Sequence, residues 1–210
     1  MRTPVQSRSE VSADRMLEAT LALLAEGGLP AVTVAAVASA AGTSNGSLYH
    51  RFGGRTGLLL AAQERALGTI EAATADAFAR ADAEPDDDRA VALLARAALD
   101  IFVEHRGAMR AFLVEAPGAP DHAAIEERSV RSSHLLARTV TGWLRHRFDA
   151  AAADAEAAYR MLFALGASQA LFTDDQISPG PLAHDQLADA VARAVRAIVT
   201  EGAAQRAPKT

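Results

Sequence analysis

Between Thr33 and Arg55 the chain places side chains suited to polyanion chemistry at close intervals. Ser44 and Ser47 carry hydroxyls, Asn45 a carboxamide, Tyr49 a phenol, His50 an imidazole, and Arg51 and Arg55 guanidinium groups. Hydroxyls and helix N-terminal N–H groups hold phosphate oxygens. A carboxamide can pair with an adenine edge, and a guanidinium clamps phosphate. Gly46 lets a backbone approach the bases closely. None of these groups is arranged as a nucleophile with its base.

Such chemistry needs a short helix presented by a scaffold. Gly42 sits where a tight turn follows a helix capped by Thr33, and Ser44 can cap the next helix. Ala38 and Ala41 permit close helix approach, while Leu48 and Phe52 anchor the short helix inward. This spacing predicts a helix-turn-helix, whose second helix enters a major groove. Arg2 and Arg8 fit either a minor-groove arm or a solvated tail.

The rest of the chain reads as helices cut by Pro, Gly and Asp clusters, which predicts an all-α fold of about nine helices. The first is expected from Ser12 to Gly27 with Ser12 as its cap, and the fourth from Arg55 to about Ala81. Asp86 or Asp87 caps the fifth. A short sixth holds Met109, Phe112 and Leu113, and the break APGAPD follows. The seventh spans about His122 to Phe148, the eighth Asp154 to Phe172, and the ninth Asp185 to Glu201, with TDDQISPGPLA as a loop and a frayed tail. Two domains are expected: residues 1–54 as a helix-turn-helix head, and 55–210 as a larger helical body.

Residues 1–57 hold five Arg and four Asp/Glu, whereas the net charge of the whole chain is -5. A near-neutral head on an acidic body suits a DNA reader whose body stays away from phosphates. There is no cysteine, which excludes disulfides and thiolate chemistry. The six histidines show no metal-ligand spacing, so neither metal nor cofactor is expected. No Walker loop, GxSxG elbow or HExxH motif occurs, and an enzyme is not expected. The lack of a long apolar run and of an apolar N-terminal stretch predicts a cytoplasmic protein without a membrane partner.

With RMLEATLALLAEGG, TVAAVASAAGTSNGSLYHRF and the Arg55-Thr56-Gly57-Leu58-Leu59 start of the fourth helix, residues 15–60 resemble the DNA-binding domain of the tetracycline-repressor (TetR) family. The resemblance implies a homodimeric repressor that binds a near-palindromic operator on double-stranded DNA and is released by a small-molecule effector. It also implies that Thr33, Ser44, Asn45, Ser47, Tyr49, His50 and Arg55 face DNA. This chain departs from the family's Leu-Tyr-x-His-Phe, because Arg51 takes the usual histidine place. Arg55 replaces a lysine. The other function class compatible with the weak head charge is a helical protein-interaction module that has lost DNA binding.

The body offers two apolar stripes that fit either an internal core or a dimer face. One is Leu187, Val191, Ala194, Val195 and Ile198; the other is Leu162, Leu165, Gly166, Gln169 and Phe172. Paired across a two-fold axis they give a four-helix interface, as the resemblance implies. Candidate effector contacts are Phe78, Phe102, Met109, Phe112, Trp143, Tyr159, Met161 and Phe163, with His105 and His134 as polar partners; each also fits ordinary core.

Overall fold

The computed structural model describes residues 4–117, 122–180 and 182–206, with side-chain surroundings given from Glu10 to Glu201 within those ranges. Arg2, the side chain of Arg8, part of the APGAPD break and the last four residues lie outside this description. The described residues form ten α-helices and one π-turn. They are α1 (Pro4–Ala31), α2 (Val34–Ala40), α3 (Asn45–Phe52), α4 (Arg55–Ala83) and α5 (Asp87–Glu104). There follow α6 (Arg106–Met109), the π-turn Arg110–Glu115, α7 (Ala123–Phe148), α8 (Ala152–Leu171), α9 (Asp174–Ile177) and α10 (His184–Arg206).

Local chemistry explains most boundaries. Thr33 Oγ1 accepts the Ala36 N–H at 3.1 Å, and Ser44 Oγ accepts the Ser47 N–H at 3.1 Å. Each side chain thereby satisfies an N–H that the helix cannot. Gly42 turns the chain between them at φ 62°, a backbone conformation that suits glycine. Asp86 Oδ1 accepts the Arg89 N–H at 2.9 Å, which makes it the cap of α5.

Three expectations need correction. Ser12 caps nothing, because α1 already begins at Pro4. The stretch expected as a simple sixth helix splits into α6 and a π-turn, in which the Ala116 N–H reaches back five residues to the Ala111 carbonyl at 2.9 Å. The expected loop after α8 contains α9, held by a capping box in which the Thr173 side chain and the Gln176 side chain serve each other's backbones. In addition, α10 continues to Arg206, beyond the expected end.

The chain packs as two compact units, residues 1–69 with 105–130, and residues 70–104 with 131–210. The first unit's core joins Met16, Leu24, Val37, Leu48, Leu58, Leu59, Phe112 and Ile125. Its α6 meets α1 so closely that a Cβ on Gly107 would lie 2.6 Å from Ala25 Cα. The second unit packs α5, α8 and α10 around Val91, Leu99, Leu162, Val191 and Val195. There α8 and α5 touch at Gly166, where a Cβ would lie 2.2 Å from Phe102 Cδ2. None of the described helices is long and apolar enough to cross a membrane.

Candidate nucleic-acid interface

Helix α3 is eight residues long and too short to hold itself together in water. Leu48 is fully buried and Phe52 packs beside it on the core of the first unit. With 100° of turn per residue, this anchoring fixes every other position. Gly46, Ser47 and His50 occupy the centre of the outward face, Asn45 and Tyr49 one flank, and Arg51 the other. All six are exposed, Tyr49 at 56%.

The N-terminus of α3 is open to an anion. The Leu48 N–H closes the first helical bond on the Ser44 carbonyl at 3.2 Å. Ser44 Oγ already serves the Ser47 N–H and lies 3.0 Å from Ser47 Oγ. The Asn45 and Gly46 amides precede that first bond and stand at the positive end of the helix dipole. Ser44, Gly46, Ser47, His50 and Arg51 line one groove with Ser12 and Met16 of α1. Spacing suggests Ser12 only as a cap; the early start of α1 carries it to this groove instead.

Two other expected DNA-facing residues have local duties. The Thr33 Oγ1 lone pairs cap α2, although its hydroxyl proton is still able to donate. Arg55 differs more. Its Nε donates to the Val32 carbonyl and its Nη2 to the Leu29 carbonyl, both at 2.7 Å, and the side chain is half-buried. The guanidinium thus ties the start of α4 to the α1–α2 connection. The Leu29 N–H is held from the other side by Glu115 Oε2 at 2.7 Å. Spacing gave no sign of this double restraint, which joins residues 86 positions apart.

A further buried feature was missed. Gln63 is fully buried on α4, and its amide donates to the Ile125 carbonyl at 2.8 Å and to Ser129 Oγ at 2.9 Å. Ser129 Oγ in turn donates to the Phe112 carbonyl at 3.1 Å. Helical spacing from Leu59, Ala62 and Ala66 places Gln63 on the buried face and was the available signal.

The candidate effector residues are distributed over both units. Phe112 lies in the core of the first unit, while Met109 and His105 are half-buried in that unit. His134 is exposed. In the second unit Phe78 meets Trp143 edge-on at 6.1 Å, and Trp143 Nε1 donates to Asp82 Oδ1 at 2.6 Å. Phe163 stands 5.6 Å from Phe102 and 6.1 Å from Tyr159, whose hydroxyl donates to the Ser133 carbonyl at 3.3 Å. Burial pushes the Tyr159 phenol above the ordinary tyrosine range, with Glu156 adding to the effect. Met161 is half-exposed, and its place on α8 puts it in the outer row described below.

The dimer candidates divide in the same way. Leu162, Val191 and Val195 are core of the second unit, and Gly166 is covered by Phe102. These four are buried within one protomer. Leu165, Gln169, Leu187, Ala194 and Ile198 are half-buried, and Phe172 is exposed. The outer row of α8 is Ala157, Met161, Ala164, Leu165, Ser168 and Phe172. That of α10 is Leu187, Ala190, Ala194, Ala197 and Ile198. The stripes are apolar as expected, and half of their branched residues, Leu162, Val191 and Val195, lie in the core of the second unit.

The arrangement of α1, α2 and α3, with α3 held outward on a buried Leu48, is a helix-turn-helix. Residues 16–62 match the family model of the bacterial regulatory proteins, tetR family. Over 82 residues the chain is 35% identical to the HTH-type transcriptional regulator BetI of Burkholderia ambifaria (strain MC40-6), a match covering 39% of this chain and 42% of that protein. With BetI of Burkholderia mallei (strain NCTC 10229) the identity is 37% over the same coverage. The chain therefore spans less than half the length of the curated relatives it matches.

The fold likeness extends further. A chain from Pseudomonas aeruginosa PAO1 superposes with TM-score 0.68 at 21% identity, covering 98% of this chain and 96% of that one. The fatty acid degradation regulator FadR of Bacillus halodurans gives 0.66 at 11% identity, covering 95% and 96%. The TetR family regulator PfmR of Thermus thermophilus gives 0.58 at 24% identity, covering 88% and 97%. At these identities the likeness is one of fold.

Proposed function

We propose that this chain is a cytoplasmic, DNA-binding transcriptional repressor that acts as a homodimer on a near-palindromic operator and is released by a small molecule. The observation that carries the reading is the capped, core-anchored α3, with Gly46, Ser47 and His50 facing outward beside an open helix N-terminus. Asn45, Ser47 and His50 meet base edges, while Ser12, Ser44, Tyr49 and Arg51 hold phosphates. Thr33 adds a hydroxyl at the start of α2. The apolar outer rows of α8 and α10 pair across the two-fold axis, which presents two α3 helices to one DNA face.

Selection from random duplex DNA at moderate salt tests this reading. Recovery of an inverted repeat, bound with affinity that falls as salt rises, is the expected result. Recovery of no preferred sequence, with no duplex binding at low salt, would refute it.

A further inference from the structure

From Arg128 to Phe148 the chain holds five Arg and two His and no Asp or Glu, although its net charge is -5. This run forms most of α7, and its positions divide by face. Trp143 donates to Asp82, Arg147 donates to Asp87, Leu144 is buried, and the Tyr159 hydroxyl reaches the Ser133 carbonyl, so this side meets the second unit. At 100° per residue, Arg131, Leu135, Arg138, Gly142 and Arg145 fall in one row on the opposite side. All five are exposed, Leu135 at 49%. The side chains of Arg138 and Arg145 have no ion-pair partner among the described residues.

Gly142 is out of place on that row by helix propensity alone. A glycine weakens a helix interior, and a Cβ at this one would meet nothing within 4 Å. No contact among the described residues therefore calls for glycine here. Arg138 and Arg145 stand one turn to either side, and Leu135 stands two turns back. A gap between two cations, with an apolar side chain in line, is a seat for a second helix.

We propose that this row of α7 docks an acidic helix of a different protein. The partner lies nearly along α7 and comes closest at Gly142, where the missing side chain admits its backbone. Its carboxylates take Arg138 and Arg145, each guanidinium forming paired hydrogen bonds with one of them. Arg131, Arg138 and Arg145 repeat every seven residues, about 10.5 Å apart along the axis, so acids at the same interval meet them in register. Leu135 packs on an apolar side chain in the partner's facing row.

Other occupants fit this row less well. A helix lying on a membrane buries an apolar face and keeps its cations on the polar side, whereas here the arginines hold the crest of the row. A phosphate backbone gives Leu135 nothing to pack on and makes no use of the gap at Gly142. A two-fold contact with a second copy would set the arginine row against itself.

The probe is a synthetic helical peptide of about 20 residues with Glu at seven-residue intervals and Leu and Ala between them in the same row. A control peptide has the same composition with its glutamates spread round the helix. At physiological salt the full chain is expected to bind the first peptide about tenfold more tightly than the second. Arg138→Glu with Arg145→Glu, and separately Gly142→Leu, are each expected to lower that affinity about tenfold without loss of helix content or melting temperature, because all three positions face open space.

Equal binding of the two peptides, or binding that Gly142→Leu leaves intact, overturns the docking row, because charge attraction alone would then explain it. Tighter binding of random-sequence duplex DNA or of phosphatidylglycerol vesicles, lost in the double arginine variant, overturns it in favour of a phosphate surface. Operator selection by the head is a separate measurement, so either failure leaves the DNA reading standing.

Discussion

Replacing Gly28 by alanine tests the junction between the helix-turn-helix and the π-turn. Gly28 interrupts α1 at φ 65°, ψ −164°, a backbone region occupied almost only by glycine. An L side chain there costs about 1–3 kcal/mol in strain. Its Cβ would also lie 2.6 Å from Glu115 Oε2 and 2.7 Å from Oε1, so the carboxylate must leave. Departure breaks the 2.7 Å bond to the N–H of Leu29, a residue only 5% exposed. Losing a hydrogen bond to a charged acceptor costs about 1.5–3 kcal/mol. The accompanying Arg110–Glu115 pair, with Arg110 63% exposed, adds little. Gly28→Ala should therefore destabilise the protein by about 3–5 kcal/mol.

Glu115→Ala should cost only the hydrogen-bond part, about 2 kcal/mol. Because Gly28→Ala already displaces the carboxylate, the double variant should be no less stable than Gly28→Ala alone. The cycle then closes with a coupling of about 2 kcal/mol. Urea unfolding followed by far-ultraviolet circular dichroism measures all four corners. Costs that simply add, to within about 0.5 kcal/mol, would refute the steric link between the two residues.

Three further outcomes follow from other contacts. Arg55→Lys should lose about 1–2 kcal/mol of stability, because an ammonium cannot reproduce the forked bonds to two carbonyls. Deleting the charge with Arg55→Gln should leave the salt slope of operator binding unchanged, and a slope reduced by about one would show that Arg55 contacts phosphate. Gly166→Ala should destabilise by about 1–3 kcal/mol through overpacking on Phe102, and Phe102→Leu in the same chain should recover part of that loss in urea midpoint and m-value measurements. Tyr159 has a folded pKa above its ordinary value, so the unfolded chain gives up this proton first as pH rises. Stability should decline from about pH 10 upward, and Tyr159→Phe should remove that component; an unchanged alkaline slope would contradict the assignment.

Much of the head was legible in the sequence because its determinants are local. Thr33 and Ser44 cap the helices they precede, Gly42 makes the turn, and Leu48 faces inward, all through bonds and spacings spanning a few residues. The helical body was legible for the same reason, down to the Asp86 cap. Fine structure was not. The π-turn depends on how residues 110–116 pack against α1, and α9 is too short for periodicity to reveal.

What lay beyond the sequence were the partners of each face. Helical spacing groups Val191, Val195 and Leu162 on apolar stripes, but only packing shows that α5 covers them within one protomer. It marks Arg55 as a cation near the recognition helix, whereas the fold delivers the Leu29 and Val32 carbonyls to it. It cannot divide Phe112 from Phe163, which belong to different cores. By itself the sequence determined most of the helical segments, the caps of α2 and α3 and which residues share a face, because hydrogen-bond capping and a 100° turn act over short separations. Tertiary structure alone decided what each face meets and which polar groups serve packing instead of recognition, because those contacts join residues far apart in the chain.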